Sequence, residues 1–323
     1  MIEAVNLTKR YGKKTAVDNI SFTVEPGTVT GFLGPNGAGK STTMRMIMGL
    51  DKPTSGKVTI NGRPYRQLSA PLCEVGALLD AKGLHGSRSA RSHLRQLAAS
   101  NGIPAKRVDE VLDITGLTSV AKKRVKGFSL GMGQRLGIAA ALLGDPGVLL
   151  FDEPVNGLDP EGVKWVRETC RRLAGGGRTV FISSHLMSEM AQTADHLLVI
   201  GRGRILTAGP VNDVIASATT DRVRVASPQA TQLAELMASR NLAAQPVAPN
   251  VLETTATTAA TIGELAAQGG IVLHELTTIR ASLEEAYMTL TSDSVEYRTD
   301  PASQAQMQQA QVRQVVPQGS ARG

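Results

Sequence analysis

Gly34-Pro35-Asn36-Gly37-Ala38-Gly39-Lys40-Ser41 decides how this chain reads. The octapeptide fits G-x-x-x-x-G-K-[ST]. The stretch TVTGFLGPNG, Thr28 to Gly37, reads as a strand running into the loop. KSTTMRMIMGL, with Met44, Ile47 and Met48 at helical spacing, reads as the helix that leaves it. Glycines let successive backbone N–H groups converge on phosphate oxygens, and the helix N-terminus adds a positive end. Lys40 suits the β/γ charge, and the Ser41 hydroxyl, followed by Thr42, suits Mg²⁺. A tight strand-to-helix turn is the bland alternative; the strand before and the helix after favour phosphate binding.

The second signal lies 112 residues past Lys40, where Val148-Leu149-Leu150-Phe151-Asp152-Glu153 is an apolar strand ending in two carboxylates. Burying unpaired carboxylates is costly, so their place at a strand tip implies a cation or a reacting water there. Asp152 suits Mg²⁺ and Glu153 suits polarisation of the attacking water. A solvated strand end is the competing reading.

Around these motifs the chain alternates character. IEAVNL and NISFTV (Asn19 to Val24) read as strands of the opening sheet. Residues 85–145 lose strand character, since SRSARSHLRQLAAS, KRVDEVLDITGL and MGQRLGIAAALLGD all read as helices. Sheet signals return in GVLLFDEP, TVFISSH, HLLVIGRG and RILTAG, with a helix from Pro160 to Leu173 between the first two. Their apolar runs lack alternation, as strands covered on both faces do. Past about residue 220 the composition turns Thr- and Ala-rich, and RVRVAS, PQATQLAELMASR, GGIVLHEL and SLEEAYMTLT suggest a small appendage over 221–290. Residues 291–323 read as a disordered tail, with seven glutamines in the last 23 positions.

Composition sets limits. With 323 residues, 41% hydrophobic and 20% charged, the chain is long enough for one large domain and an appendage and is not a disordered or fibrous protein. No apolar run is long enough to span a bilayer; the best, Leu136 to Phe151, is broken by Gly144, Asp145, Pro146 and Gly147. Glu3 and Asn6 stand where a signal peptide needs apolar residues, so a cytosolic chain is expected. Cys73 and Cys170 have no disulfide or metal spacing and read as plain thiols. The net charge of +7 is concentrated early: residues 1–220 hold 28 Lys and Arg against 18 Asp and Glu, with KKRVK (Lys122 to Lys126) the densest cluster. Aromatics are only 3% of the chain, so stacking platforms for nucleic acid are lacking and such a partner is disfavoured. A basic surface also suits the cytoplasmic side of an anionic membrane.

Taken in order, the motifs resemble the ATPase subunits of ATP-binding cassette (ABC) transporters. Phe128-Ser129-Leu130-Gly131-Met132-Gly133-Gln134-Arg135 is similar to the family's signature sequence, Gly157-Leu158-Asp159-Pro160 to its dimer-contact loop, and Ser183-Ser184-His185 to its switch histidine. Tyr11 stands where the family stacks an aromatic on adenine; packing against the sheet is the alternative for this residue. The resemblance covers residues 1–210. It implies an α/β fold: a P-loop NTPase core over 1–220 with an antiparallel β subdomain and a helical insertion, plus a small α+β appendage. It also implies ATP and Mg²⁺ as cofactors and a composite site, in which Ser129 and Gly131 of one subunit reach ATP held by Lys40 of another, with Asp159 at the contact. Glu153 and His185 would then carry hydrolysis.

Two departures stand out. Leu130 and Met132 replace the glycine and glutamine common in the signature, and Asp80, after Val75-Gly76-Ala77-Leu78-Leu79, takes the place of the glutamine that usually senses Mg²⁺ and the membrane partner. Together with chain length, this looks most like drug, antibiotic or bacteriocin-immunity exporters. The resemblance implies a homodimer or paired cassette on the cytoplasmic membrane face, driving a separately encoded permease that docks around Asp80 to Ser92. Soluble cassette machines acting on DNA, ribosomes or cofactor assembly are the alternative, and a small-molecule kinase would leave Ser129 to Arg135 unexplained. His85, His93, His196 and His274 lack metal-like spacing, and Ser184 lacks a G-x-S-x-G elbow.

Overall fold

The apolar run VTGFL forms β3 (Val29–Leu33), buried at every position. In this computed structural model, which describes residues 1–80, 83 and 86–291, β3 lies inside a six-stranded sheet. Its partners are β5 (Val75–Leu78), β6 (Val148–Phe151), β7 (Thr179–Ser184), β8 (His196–Gly201) and β9 (Arg204–Pro210), in the order β5-β6-β7-β3-β8-β9. Neighbours from β5 through β8 pair in parallel, and only β9 runs antiparallel. Burial on both faces accounts for the missing alternation in β3, β6, β7 and β8, but not in RILTAG, which forms β9, the antiparallel edge strand with every residue exposed or half-buried. Parallel pairing also brings the ends of β3, β5, β6 and β7 to one edge, the edge where open α/β sheets bind ligands.

A second, antiparallel sheet of β1 (Ile2–Tyr11), β2 (Lys14–Val24) and β4 (Ser55–Ile60) runs in the order β2-β1-β4. It buries alternate residues of β2 against the main sheet. Phe22 meets Phe181 and Phe32 there, with ring centroids 5.8 and 6.2 Å away.

The helices are α1 (Lys40–Ile47), α2 (Pro71–Glu74), α3 (Ala90–Ser100), α4 (Ala105–Ile114), α5 (Leu130–Leu142), α6 (Pro160–Gly175), α7 (Met187–Thr193) and α8 (Val211–Ala218). Helices α3, α4 and α5 pack together through Leu94, Val108, Val111, Leu112 and Leu136, the helical insertion expected between the two phosphate-site motifs. Ser129 caps α5 by accepting a hydrogen bond from Met132 N at 3.2 Å.

Past residue 221 the chain builds β10 (Arg222–Ala226), α9 (Ala230–Ser239), β11 (Gln245–Ala248), β12 (Val251–Thr254), α10 (Ala259–Gln268) and β13 (Glu275–Ile279). The sheet order is β11-β12-β10-β13, all antiparallel, which is the ferredoxin-like βαββαβ topology. Val223, Val225, Leu233, Met237, Leu252 and Ile262 form its own core. GGIVLHEL contributes only its last two residues to β13; Ile271 instead plugs the end of this small core.

The last helix, α11 (Leu283–Thr291), packs on α8 and α7, and Leu283 and Tyr287 join the core of the main domain. Burial pushes the Tyr287 phenol pKa up to about 12. The two ends of the ferredoxin-like unit touch, since Ala281 N donates to Asp221 Oδ1 at 2.8 Å. Among the described residues, no helix is long and apolar enough to cross a membrane. His85 and the glutamine-rich stretch 292–323 lie outside the described residues.

Leu283 is 2% exposed, so Leu283→Ala should cost about 2–5 kcal/mol. Urea unfolding of the full chain measures this; a loss no larger than that of an exposed-residue control would separate α11 from the core.

Candidate active site

Leaving β3, the glycine loop turns sharply into α1. Gly39 caps that helix at φ 112°, and a Cβ there would lie 2.6 Å from Ala16 O, so no other residue fits. Lys40 is only 6% exposed and folds back under the loop, where its Nζ donates to Gly34 O at 2.7 Å and Pro35 O at 3.3 Å. It also lies 3.6 Å from Glu153 Oε1. Burial pushes the Lys40 pKa below that of an ordinary lysine, and Glu153 and Asp152 oppose that shift.

Glu153 follows β6 by two residues and holds a left-handed backbone at φ 50°. Such a conformation costs a non-glycine residue about 1–3 kcal/mol and persists only where the surroundings enforce it. Two bonds do so: Glu153 N donates to Ser183 Oγ at 3.0 Å, and Gln134 Nε2 donates to Glu153 O at 2.9 Å. The carboxylate is thereby aimed between two bases, with Oε2 at 2.6 Å from His185 Nδ1 and Oε1 beside Lys40. Asp152, at the tip of β6, accepts from the buried Ser183 hydroxyl and donates its N–H to Leu78 O at 2.8 Å.

A hollow of about 440 Å³ opens above these groups. Tyr11, Asn36, Gly37, Gly39, Lys40, Ser41, Thr42, Glu153 and His185 line it, and all were legible as motif residues. Gly34, Pro35 and Ala38 do not line it; the first two hold Lys40 through their carbonyls, and Ala38 is buried in the loop. Tyr11 is 48% exposed, which excludes packing into the sheet. Its hydroxyl donates to Asp51 Oδ2 at 2.8 Å, and Lys9 Nζ lies 4.8 Å from the ring centroid. A hydrogen bond from Arg45 holds the Asp51 carboxyl below the usual range.

The remaining candidates sit elsewhere. Asp80 is exposed two residues past β5 and does not line the hollow. Ser129 and Gly131 at the start of α5, and Asp159, which caps α6 by accepting from Gly162 N at 2.9 Å, form a separate patch. That patch interlocks with itself: a Cβ on Gly157 (φ 75°) would lie 2.1 Å from Leu130 Cδ2, and one on Gly131 3.2 Å from Leu158 Cδ2. Lys14, Ala16 and Asn156 also line the hollow without belonging to any motif, and Asn156 gave only its spacing after Glu153 as a signal. Gln134 and Ser183 were visible as motif members, but their grip on the Glu153 backbone was not.

A phosphate loop at the switch of a parallel sheet, facing a carboxylate held by lysine and histidine, defines a P-loop nucleotide-hydrolysing protein. Comparison with known proteins narrows the class. The ABC transporter family model matches residues 17–156, and a family described only as a domain of unknown function matches residues 221–284. Among curated relatives, the bacitracin transport ATP-binding protein BcrA of Bacillus licheniformis is 45% identical over 213 residues, 65% of this chain and 70% of the relative. The uncharacterized ABC transporter ATP-binding protein YhcH of Bacillus subtilis is 35% identical over 300 residues, 92% of this chain and 97% of the relative. Among solved structures, cbiO1 from Clostridium perfringens, part of the ABC transporter complex cbiONQ, aligns with a TM-score of 0.59 at 28% identity, covering 67% of this chain and 90% of that one. The chain belongs to the ATP-binding proteins of ABC transporters and is an ATPase.

Removing one partner of a buried ion pair leaves the other charge uncompensated, so Lys40→Met should destabilise the nucleotide-free chain by up to about 3–5 kcal/mol in chemical unfolding. A loss no larger than that of an exposed-lysine control would show that Glu153 does not depend on Lys40 for its burial.

Proposed function

We propose that this ATPase holds ATP in the hollow and powers a separately encoded membrane permease that exports a drug, antibiotic, lipid or polysaccharide. The observation that carries the reading is the Glu153 carboxylate held between Lys40 and His185 at the rim of the glycine loop. The similarity to a bacitracin transport subunit supports an exporter. The similarity to transport ATP-binding proteins and to one component of a multi-chain transporter complex supports a permease on a second chain, with this one peripheral on the cytoplasmic face.

Without nucleotide, Lys40 and Glu153 neutralise one another. The β- and γ-phosphates compete for the Lys40 ammonium, drawing it from the Gly34 and Pro35 carbonyls and freeing Glu153 Oε1. Glu153 then polarises a water in line with the γ-phosphate, while His185 orients the carboxylate through Oε2. Exposed and standing on the rim, Tyr11 stacks on adenine. The residues present suit Mg²⁺: the Ser41 hydroxyl lines the hollow, and Asp152 stands beneath it with Asp80 past the adjoining strand end. When bound, Mg²⁺ neutralises charge on the β- and γ-phosphates.

Ser129, Gly131 and Asp159 do not line their own hollow, and in this reading they serve a second copy. The capped start of α5 from one chain meets the γ-phosphate held by its partner, and ATP draws the pair closed. Closure is passed to the permease through the segment Asp80 to Ser92, of which residues 81, 82, 84 and 85 lie outside the described residues.

Glu153→Gln should stop hydrolysis and accumulate an ATP-dependent dimer on size exclusion; normal turnover in this variant would remove Glu153 from the water-polarising role. Tyr11→Ala should weaken nucleotide binding by about 1–3 kcal/mol, whereas Tyr11→Phe should keep most of it. Titration calorimetry distinguishes them, and equal losses would put the hydroxyl, not the ring, in charge.

A further inference from the structure

The net charge of +7 comes from one part of the chain. Residues 81–144 hold 11 Lys and Arg and 3 Asp and Glu, while all other residues balance to within one charge. Two stretches, 81–108 and 114–144, contain no acidic residue at all.

The fold lays parts of these two stretches side by side. Val125 N donates to Arg88 O at 2.9 Å, Lys126 N to Gly86 O at 3.0 Å and Arg91 N to Ala121 O at 2.9 Å, with an antiparallel bridge between Ser89 and Arg124. Val125 is buried beneath this ribbon and anchors it, which leaves Lys122, Lys123, Arg124 and Lys126 exposed and Arg88 half-buried. Of the region's three acids, Asp109 pairs with Arg91 at the end of the ribbon and Glu110 with Lys106 and Arg107, while Asp113 is exposed on α4 and bridges none of the ribbon cations among the described residues. Among the described residues, none of the five ribbon cations has a salt-bridge partner.

The chemistry of the strip selects its partner. A protein interface needs an apolar or aromatic centre that can be desolvated, and the ribbon turns its one branched apolar residue inward. Single-stranded nucleic acid needs stacking surfaces, and residues 81–127 contain no Phe, Trp or Tyr. What remains is a rigid array of mostly lysine point charges, suited to a diffuse anionic surface rather than to a shaped ligand. Arg88 also lies within the segment proposed to meet the permease.

We propose that Arg88, Lys122, Lys123, Arg124 and Lys126 form a docking surface for anionic phospholipid headgroups. The strip seats the helical insertion on the bilayer beside the permease. This inference rests on reading the chain as a membrane-docked ATPase. Each cation near an anionic surface adds roughly fivefold to partitioning, and the attraction is screened by salt.

Co-sedimentation of the full chain, without permease, tests the strip. Vesicles of phosphatidylcholine are compared with vesicles of equal parts phosphatidylcholine and phosphatidylglycerol. Binding is expected only to the anionic vesicles and should fall as salt is raised. The variant Lys122→Glu/Lys123→Glu/Lys126→Glu should bind at least about tenfold more weakly, and the same three positions changed to Gln should lie between, with the parent's melting temperature and ATP affinity in both. Equal binding to both vesicle types, or unchanged binding by the variants, overturns the proposal. So does tighter binding to duplex DNA than to anionic vesicles at the same salt. Capture of the permease in pure phosphatidylcholine nanodiscs by the parent but not by the charge-reversed chain would make the strip a protein contact and likewise overturn it. Failure of the parent to be captured would instead count against the permease reading, so the two are judged apart.

Discussion

The site is organised around the placement of one carboxylate. Glu153 carries a negative charge into a largely buried setting, where it survives because Lys40 and His185 flank it and because its strained backbone is gripped from both sides. Every major feature of the core serves that placement. The parallel sheet brings the ends of β3, β6 and β7 to one edge, which puts the lysine, the acid and the histidine within reach despite their separation along the chain. Ser183, buried at the end of β7, ties the two acids of β6 together: its hydroxyl bonds Asp152 and accepts from the Glu153 backbone. Without nucleotide, Lys40 is held by the Gly34 and Pro35 carbonyls as well as by the Glu153 carboxylate.

The same grip links two regions with different tasks. Gln134 belongs to α5, whose first residues do not line the hollow, yet its side chain holds the Glu153 carbonyl. Leu130 covers Gly157, and Leu158 lies against Gly131. The opening turn of α5 and the loop from Glu153 to Asp159 are therefore laced together by one polar and two apolar contacts. Leu130, which departs from the common signature pattern, supplies one of these contacts. Leu130 remains half exposed while covering Gly157, and a glycine in its place would have no side chain to do so.

Much of this was legible in the sequence, for identifiable reasons. The glycine loop, the VLLFDE strand and the SSH turn are local patterns whose residue types are dictated by phosphate, charge and burial, and each lies where the pattern places it. The helical insertion was visible through its periodicity. The Gln134 bond, the Lys40–Glu153 pairing and the Ser183 bridge join residues distant along the chain and leave no local period. GGIVLHEL could be placed only within the appendage, because an apolar run does not distinguish a strand from a plug such as Ile271. SLEEAYMTLT has ordinary helical periodicity, and nothing local says that α11 returns to the main core instead of staying with the ferredoxin-like unit.

That return gives the unit an unusual standing. With Asp221 and Ala281 in contact and α11 seated on α7 and α8, the sixty residues or so between them form a closed excursion from the motor, a bead on a pinched loop. Chain entry and exit share one neck, where the Ala281–Asp221 bond and the Arg222–Glu285 ion pair tie the bead to α11, so an insertion at the bead's far end leaves the path of the main-domain chain unchanged.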